Sequence, residues 1–131
     1  MITVIDTNFL TRYFNANKDI GNESKNIFEN ENTFLIIPSI VLVELKYGIA
    51  KQRFSQYSLE SANRLVKQGN CMVYPLDETL LDYIPIELDI HDGIIFATAA
   101  VQRKNFNETI YLLSKDSKIK NLNQDLVKVV W

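Results

Sequence analysis

Cys71 is the only cysteine, so no disulfide can form within the chain, which fits a reducing compartment such as the cytoplasm. Long uninterrupted apolar runs are missing too. The most hydrophobic stretches are broken by Glu44, Lys46 or polar residues, and no membrane span is expected. The chain enters Ile2-Thr3-Val4-Ile5 with no basic segment ahead of it, so no secretory signal is expected either. An excess of positive charge is lacking: the net charge is −2, whereas domains that capture nucleic acid by bulk electrostatics are strongly basic. That balance does not exclude a nuclease, because acidic ligands lower the formal charge and a bound cation restores it locally. Glycine and proline are scarce, at four and three residues, and no linker, repeat or low-complexity tract appears. With 131 residues, 47% of them hydrophobic, the chain reads as a single soluble domain, 1–131.

What is present is an alternation of strand and helix patterns. Ile2-Thr3-Val4-Ile5 reads as a buried strand ending at Asp6, and Thr7-Asn8 leads into a short helix with Phe9, Leu10, Tyr13 and Phe14. Gly21-Asn22 marks a turn before a second helical piece through Ile27 and Phe28. Phe34-Leu35-Ile36-Ile37 is a second strand closed by Pro38, and Ser39 is expected to cap a long apolar helix to about Arg53. Leu59, Ala62, Leu65 and Val66 follow at helical spacing, then Cys71-Met72-Val73-Tyr74 as a third strand. Leu76, Leu80, Leu81 and Tyr83 suggest a short helical segment, and Asp92 to about Arg103 a longer helix. Thr109 to Leu113 and Val127 to Val130 complete five strands. Such alternation predicts an α/β fold with a parallel sheet covered on both faces.

In such sheets the ligand site lies beyond the carboxyl ends of the strands. Asp6 ends the first strand and Asp116 follows the fourth, while Asp92 opens the helix before the fourth, where its nearness to that rim is open. Glu44 interrupts Ile40-Val41-Leu42-Val43-Glu44-Leu45, so part of its helical face is expected to point inward. A carboxylate there is costly unless protonated, paired or bound to a cation. Each acid alone has a plainer explanation: Asp6 and Asp116 as helix caps, Asp92 in a capping-box spacing with Asp89, Glu44 paired with an arginine or lysine. Four caps do not explain Glu44, and the conjunction favours a divalent-metal site. His91 reads as a surface or capping residue, outside the catalytic set. Most basic residues near the rim, among them Arg12, Arg53 and Lys115, read as solvated, with a few available for phosphates.

Four motifs in order now carry a resemblance: Val4-Ile5-Asp6-Thr7-Asn8; Pro38-Ser39 leading to Val43-Glu44-Leu45-Lys46-Tyr47-Gly48; His91-Asp92-Gly93-Ile94-Ile95-Phe96-Ala97-Thr98-Ala99; and Leu112-Leu113-Ser114-Lys115-Asp116. The chain resembles the PIN domain family, in particular the VapC-type toxins of toxin–antitoxin pairs. Ser114 stands where that family usually has threonine, and Lys118-Ile119 where a phenylalanine would follow Asp116. The resemblance implies a three-layer α/β/α sandwich with a five-stranded parallel sheet. It implies Mg²⁺- or Mn²⁺-dependent hydrolysis of RNA, with Asp6, Glu44, Asp92 and Asp116 as the catalytic, metal-holding acids. Asn8 and Ser114 are implied as residues supporting those ligands. An RNA substrate, a cognate antitoxin and a homodimer are the implied partners.

Other readings compete with a VapC-like endoribonuclease. A housekeeping PIN nuclease in RNA processing is separated from it only by a neighbouring antitoxin gene. A phosphohydrolase with Asp6 as nucleophile is disfavoured by Asn8, where a second aspartate is expected. A receiver-like Mg²⁺-binding signalling module lacks a phosphoacceptor at Tyr74-Pro75, and a pseudo-nuclease is disfavoured by the presence of all four acids.

Overall fold

The computed structural model describes residues 1–15, 20–122 and 127–131. Five strands, β1 (Ile2–Ile5), β2 (Phe34–Pro38), β3 (Cys71–Tyr74), β4 (Ile110–Leu113) and β5 (Val127–Val130), form one sheet in the order β3-β2-β1-β4-β5. Every pairing is parallel, with Val4 opposite Ile36 on one side and Leu112 on the other. The central strand β1 is buried throughout and apolar on both faces, apart from Thr3. This is the signature of a strand covered above and below.

Among the described residues, six helices connect the strands: α1 (Thr7–Phe14), α2 (Asn22–Glu29), α3 (Ser39–Ala50), α4 (Gln56–Val66), α5 (Ile90–Phe106) and the four-residue α6 (Ser117–Lys120). A 3₁₀ turn over Glu78–Tyr83 precedes α5. The chain steps from β1 to β2 to β3 in one direction, then returns across the sheet to β4 and β5. Right-handed crossovers therefore place α1 to α4 on one face and α5 and α6 on the other. Packing agrees: α1, α3 and α4 touch one another, while α5 lies along the strands with the 3₁₀ turn beside it. The core joins Val4, Ile5, Phe9, Leu10, Ile36, Val41, Leu45, Ile95, Ala99 and Leu112 through the sheet.

Several boundaries differ from expectation for local reasons. Ser39 is the first helical residue rather than a cap; Pro38 occupies the cap position, and no side chain caps α3. That helix stops at Ala50 because Arg53 and Phe54 both turn their N–H groups back to the Gly48 carbonyl, at 2.7 and 3.3 Å. Gln52 makes this reversal in the left-handed region, at φ 59°. Leu76 precedes the 3₁₀ turn instead of lying in it, and α5 starts at Ile90, two residues before Asp92.

The strand order creates a reversal point beside β1, whose neighbours β2 and β4 are reached in opposite directions. A cleft at the carboxyl ends there is where open parallel sheets bind ligands. A helix that returns the chain to the start of a parallel strand begins at this same rim. The first turn of α5, with Asp92, is thereby brought to it.

Candidate active site

Asp6 leaves β1 at the reversal point and is 3% exposed. It occupies the cap position of α1, but its side chain makes no regular capping hydrogen bond. Instead the Ser114 hydroxyl donates to Asp6 Oδ2 at 2.7 Å, and the Asp6 N–H donates to the Leu113 carbonyl at 3.2 Å. Burial pushes the Asp6 carboxyl above its ordinary range; the Ser114 bond and the N–H groups of Thr7 and Asn8 act against this, and Asp116 adds to it. Ser114 is fully buried and also accepts from the Asp116 N–H at 3.2 Å, so one hydroxyl ties two of the acids together. Asn8 is exposed, and it is its backbone N–H that bears on Asp6.

Asp116 caps α6, accepting from the Ile119 N–H at 3.0 Å, so its structural reading is correct. Capping does not remove it from the cluster, because its charge raises the pKa values of both Asp6 and Asp92. Asp92 is likewise part of a capped start: Asp89 Oδ1 accepts from the Asp92 N–H at 2.9 Å. The Asp92 side chain is half-buried and free of that duty. Burial first, then the charges of Asp89, Asp116 and Asp6, push its carboxyl up to about 7.

Glu44 comes from the opposite layer. Inward positions of α3 are Val41, Leu45 and Gly48, while Val43 and Tyr47 face outward despite their apolar character. Glu44 stands at the boundary between the two faces, with 27% of its side chain exposed. Thr7 Oγ1 donates to Glu44 Oε1 at 3.0 Å, and His91 Nδ1 lies 3.7 Å from Oε2. Burial raises the Glu44 pKa, the Thr7 hydrogen bond lowers it, Asp6 raises it, and His91 and Asp89 make smaller opposite contributions. The four acids thus come from β1, α3, α5 and the turn after β4, and they act on one another electrostatically.

Three participants lie outside the set of site residues expected from the sequence. Thr7 orients Glu44 across 37 positions of chain, a pairing no local spacing encodes. Asp89 is a cap whose charge also bears on Asp92 and Glu44. His91, read as a surface residue, is exposed but faces Glu44. Its place next to Asp92 in sequence was the only available signal.

The donor set is that of a hard cation: carboxylate oxygens, with Cys71 far away in β3. Among the described residues, no group of three or more His, Cys, Asp or Glu side chains is arranged to hold a metal ion as it stands. Mg²⁺ keeps much of its hydration and takes few carboxylates, so the residue types present suit it without a full protein cage. Raised pKa values from burial and mutual repulsion are the electrostatic condition that a divalent cation relieves.

Comparison with known proteins agrees with this architecture. No curated protein sequence matches significantly. Among solved structures, the chain is similar to one described as VapBC2 from Rickettsia felis bound to a DNA fragment from their promoter. The TM-score is 0.66 at 18% identity, over 98% of each chain, which establishes a shared fold. The profile of the PIN domain family matches residues 3–125, nearly the whole length. By that match, the chain belongs to the PIN domain family.

Proposed function

We propose that the protein is a Mg²⁺- or Mn²⁺-dependent endoribonuclease, working as the toxin of a VapBC-type toxin–antitoxin pair. The observation that carries this reading is the gathering of Asp6, Glu44, Asp92 and Asp116 at one rim, where the carboxyls of Asp6, Glu44 and Asp92 are each raised by burial and by the charge of another of the four. Family membership supports a nuclease, and likeness to a VapBC2 structure supports an antitoxin partner.

Each residue has a definable task. Asp6, Glu44, Asp92 and Asp116 would hold the divalent ion, and Ser114 and Thr7 fix the carboxylates of Asp6 and Glu44 by donating to them. When bound, that ion supplies Lewis acidity toward a phosphodiester and lowers the pKa of water there. Asp92, whose carboxyl is raised to about 7, would have to give up its proton to take up a cation near neutral pH. Glu44 accepts from Thr7 through one oxygen and keeps the other beside the exposed imidazole of His91. On this account none of the four acids has to act as general base, because their work is to place charge.

The test is cleavage of total cellular RNA in Mg²⁺ or Mn²⁺, with EDTA and an Asp6→Asn control. Wild type should cleave only with metal, and Asp6→Asn should lose cleavage while keeping its fold. Activity in EDTA, or full activity of Asp6→Asn, would refute the metal-site assignment.

A further inference from the structure

A second feature adjoins the acids on the α3 side. Glu44, Tyr47, Gly48, Arg53, Phe54 and His91 line a groove of about 320 Å³ whose surface is mainly apolar. This is near the lower end of small-ligand sites, roughly 300 Å³. Its back wall is a built structure. A Cβ at Gly48 would lie 2.1 Å from the Phe54 ring, so only glycine lets that ring lie flat against α3. The turn that puts it there is fixed by the N–H groups of Arg53 and Phe54, both donating to the Gly48 carbonyl. Tyr47 is 57% exposed, with the Lys51 ammonium 5.6 Å from its ring centre.

We infer that this groove is a nucleobase subsite, holding a base of the RNA next to the scissile phosphodiester; the inference rests on the endoribonuclease reading. Glu44 belongs both to the groove and to the acid cluster, so an occupant of the groove lies directly beside the acids. Two aromatic rings offer π-faces, on which bases of single-stranded nucleic acid stack. Arg53 and His91 provide N–H donors, and Lys51 stands by the mouth for a neighbouring phosphate. These features complement a planar, hydrogen-bonding base attached to a polyanion. A partner peptide would need a longer groove, with anchors at helix or strand spacing.

The experiment is a double-mutant cycle between protein and substrate. The cleavage site on a single-stranded RNA is first mapped with wild type in Mg²⁺. Wild type and Tyr47→Ala are then compared on that RNA and on versions carrying one abasic residue at each position flanking the cut. Tyr47 is exposed, so the substitution should leave the fold intact, as a thermal melt would verify. At one flanking position, loss of the base should reduce kcat/KM roughly tenfold in wild type and have little further effect in Tyr47→Ala. Gly48→Ala, which displaces Phe54, should reproduce the loss. If each abasic substitution costs the same in both proteins, the groove does not hold a base, although the nuclease reading stands. Failure of wild type to cleave any of these RNAs with metal overturns both. Loss of a bound protein partner in Tyr47→Ala, with RNA cleavage unchanged, assigns the groove to a peptide and overturns the inference.

Discussion

At the scale of single residues, the acids are held in a state that costs the metal-free fold stability. Asp92 keeps its proton to about 7 in the folded protein, against an ordinary value of 3.8. Between those values the unfolded chain has lost the proton and the folded one has not. Folding is therefore favoured at low pH, and that advantage is lost as pH rises through about 7. Metal-free wild type should lose stability between pH 4 and 7, and Asp92→Asn should show a flatter profile; denaturant midpoints across that range measure both. An identical slope in the two proteins would mean that Asp92 is not the titrating group. Glu44 and Asp6 are raised as well, so Asp92→Asn should flatten the profile without abolishing its slope.

Elements explain why one side chain here has two effects. Asp89 caps α5 and also raises the Asp92 pKa by its charge. Asn serves as a helix cap about as well as Asp, and Ala costs about 1 kcal/mol. Asp89→Asn should keep the cap, lower the Asp92 pKa and narrow the pH range over which stability falls. Asp89→Ala should show the same narrowing on a protein about 1 kcal/mol less stable at every pH. Equal stability of the two variants in urea unfolding would remove the cap from this account. Elements were also what the sequence displayed best. Short apolar runs such as Ile2–Ile5 and Cys71–Tyr74 marked their strands, because each is rich in strand-forming residues and ends at a polar residue or proline. Boundaries were less legible where backbone geometry decides them, as in the reversal at Gln52 that ends α3. The apolar run around Glu44 suggested more burial than exists, since Val43 and Tyr47 point outward beside the groove.

For the whole molecule, strand order is what makes one site from four distant segments. Asp6 and Asp116 were legible as rim residues because each follows a strand end, whereas Glu44 stood out only by interrupting an apolar helix. Spacing alone did not show what holds them: Ser114 was expected as a support only through the family resemblance, and its contact with Asp6 spans 108 positions that only the fold closes. The return helix α5 likewise starts at the same rim by topology, a placement that the position of Asp92 in the sequence left open. A cation binding only the native state stabilises it by mass action. Millimolar Mg²⁺ or Mn²⁺ should thus raise the melting temperature of wild type and do much less for Asp6→Asn. No shift in either protein would show that the cluster is not a competent site.

Glu44 offers the most direct test of the central claim, that acids from both layers of the fold form one metal-dependent catalytic site. It is the acid contributed by the layer opposite α5, and no helix cap accounts for it. RNA cleavage by Glu44→Gln in Mg²⁺, measured beside wild type and alongside the metal-free melting temperature, isolates its charge. Shape and the Thr7 hydrogen bond can be kept by the amide oxygen. The account predicts that most cleavage is lost while metal-free stability is unchanged or higher, because a raised, repelled carboxylate has been neutralised. Cleavage by Glu44→Gln at the wild-type rate would contradict it.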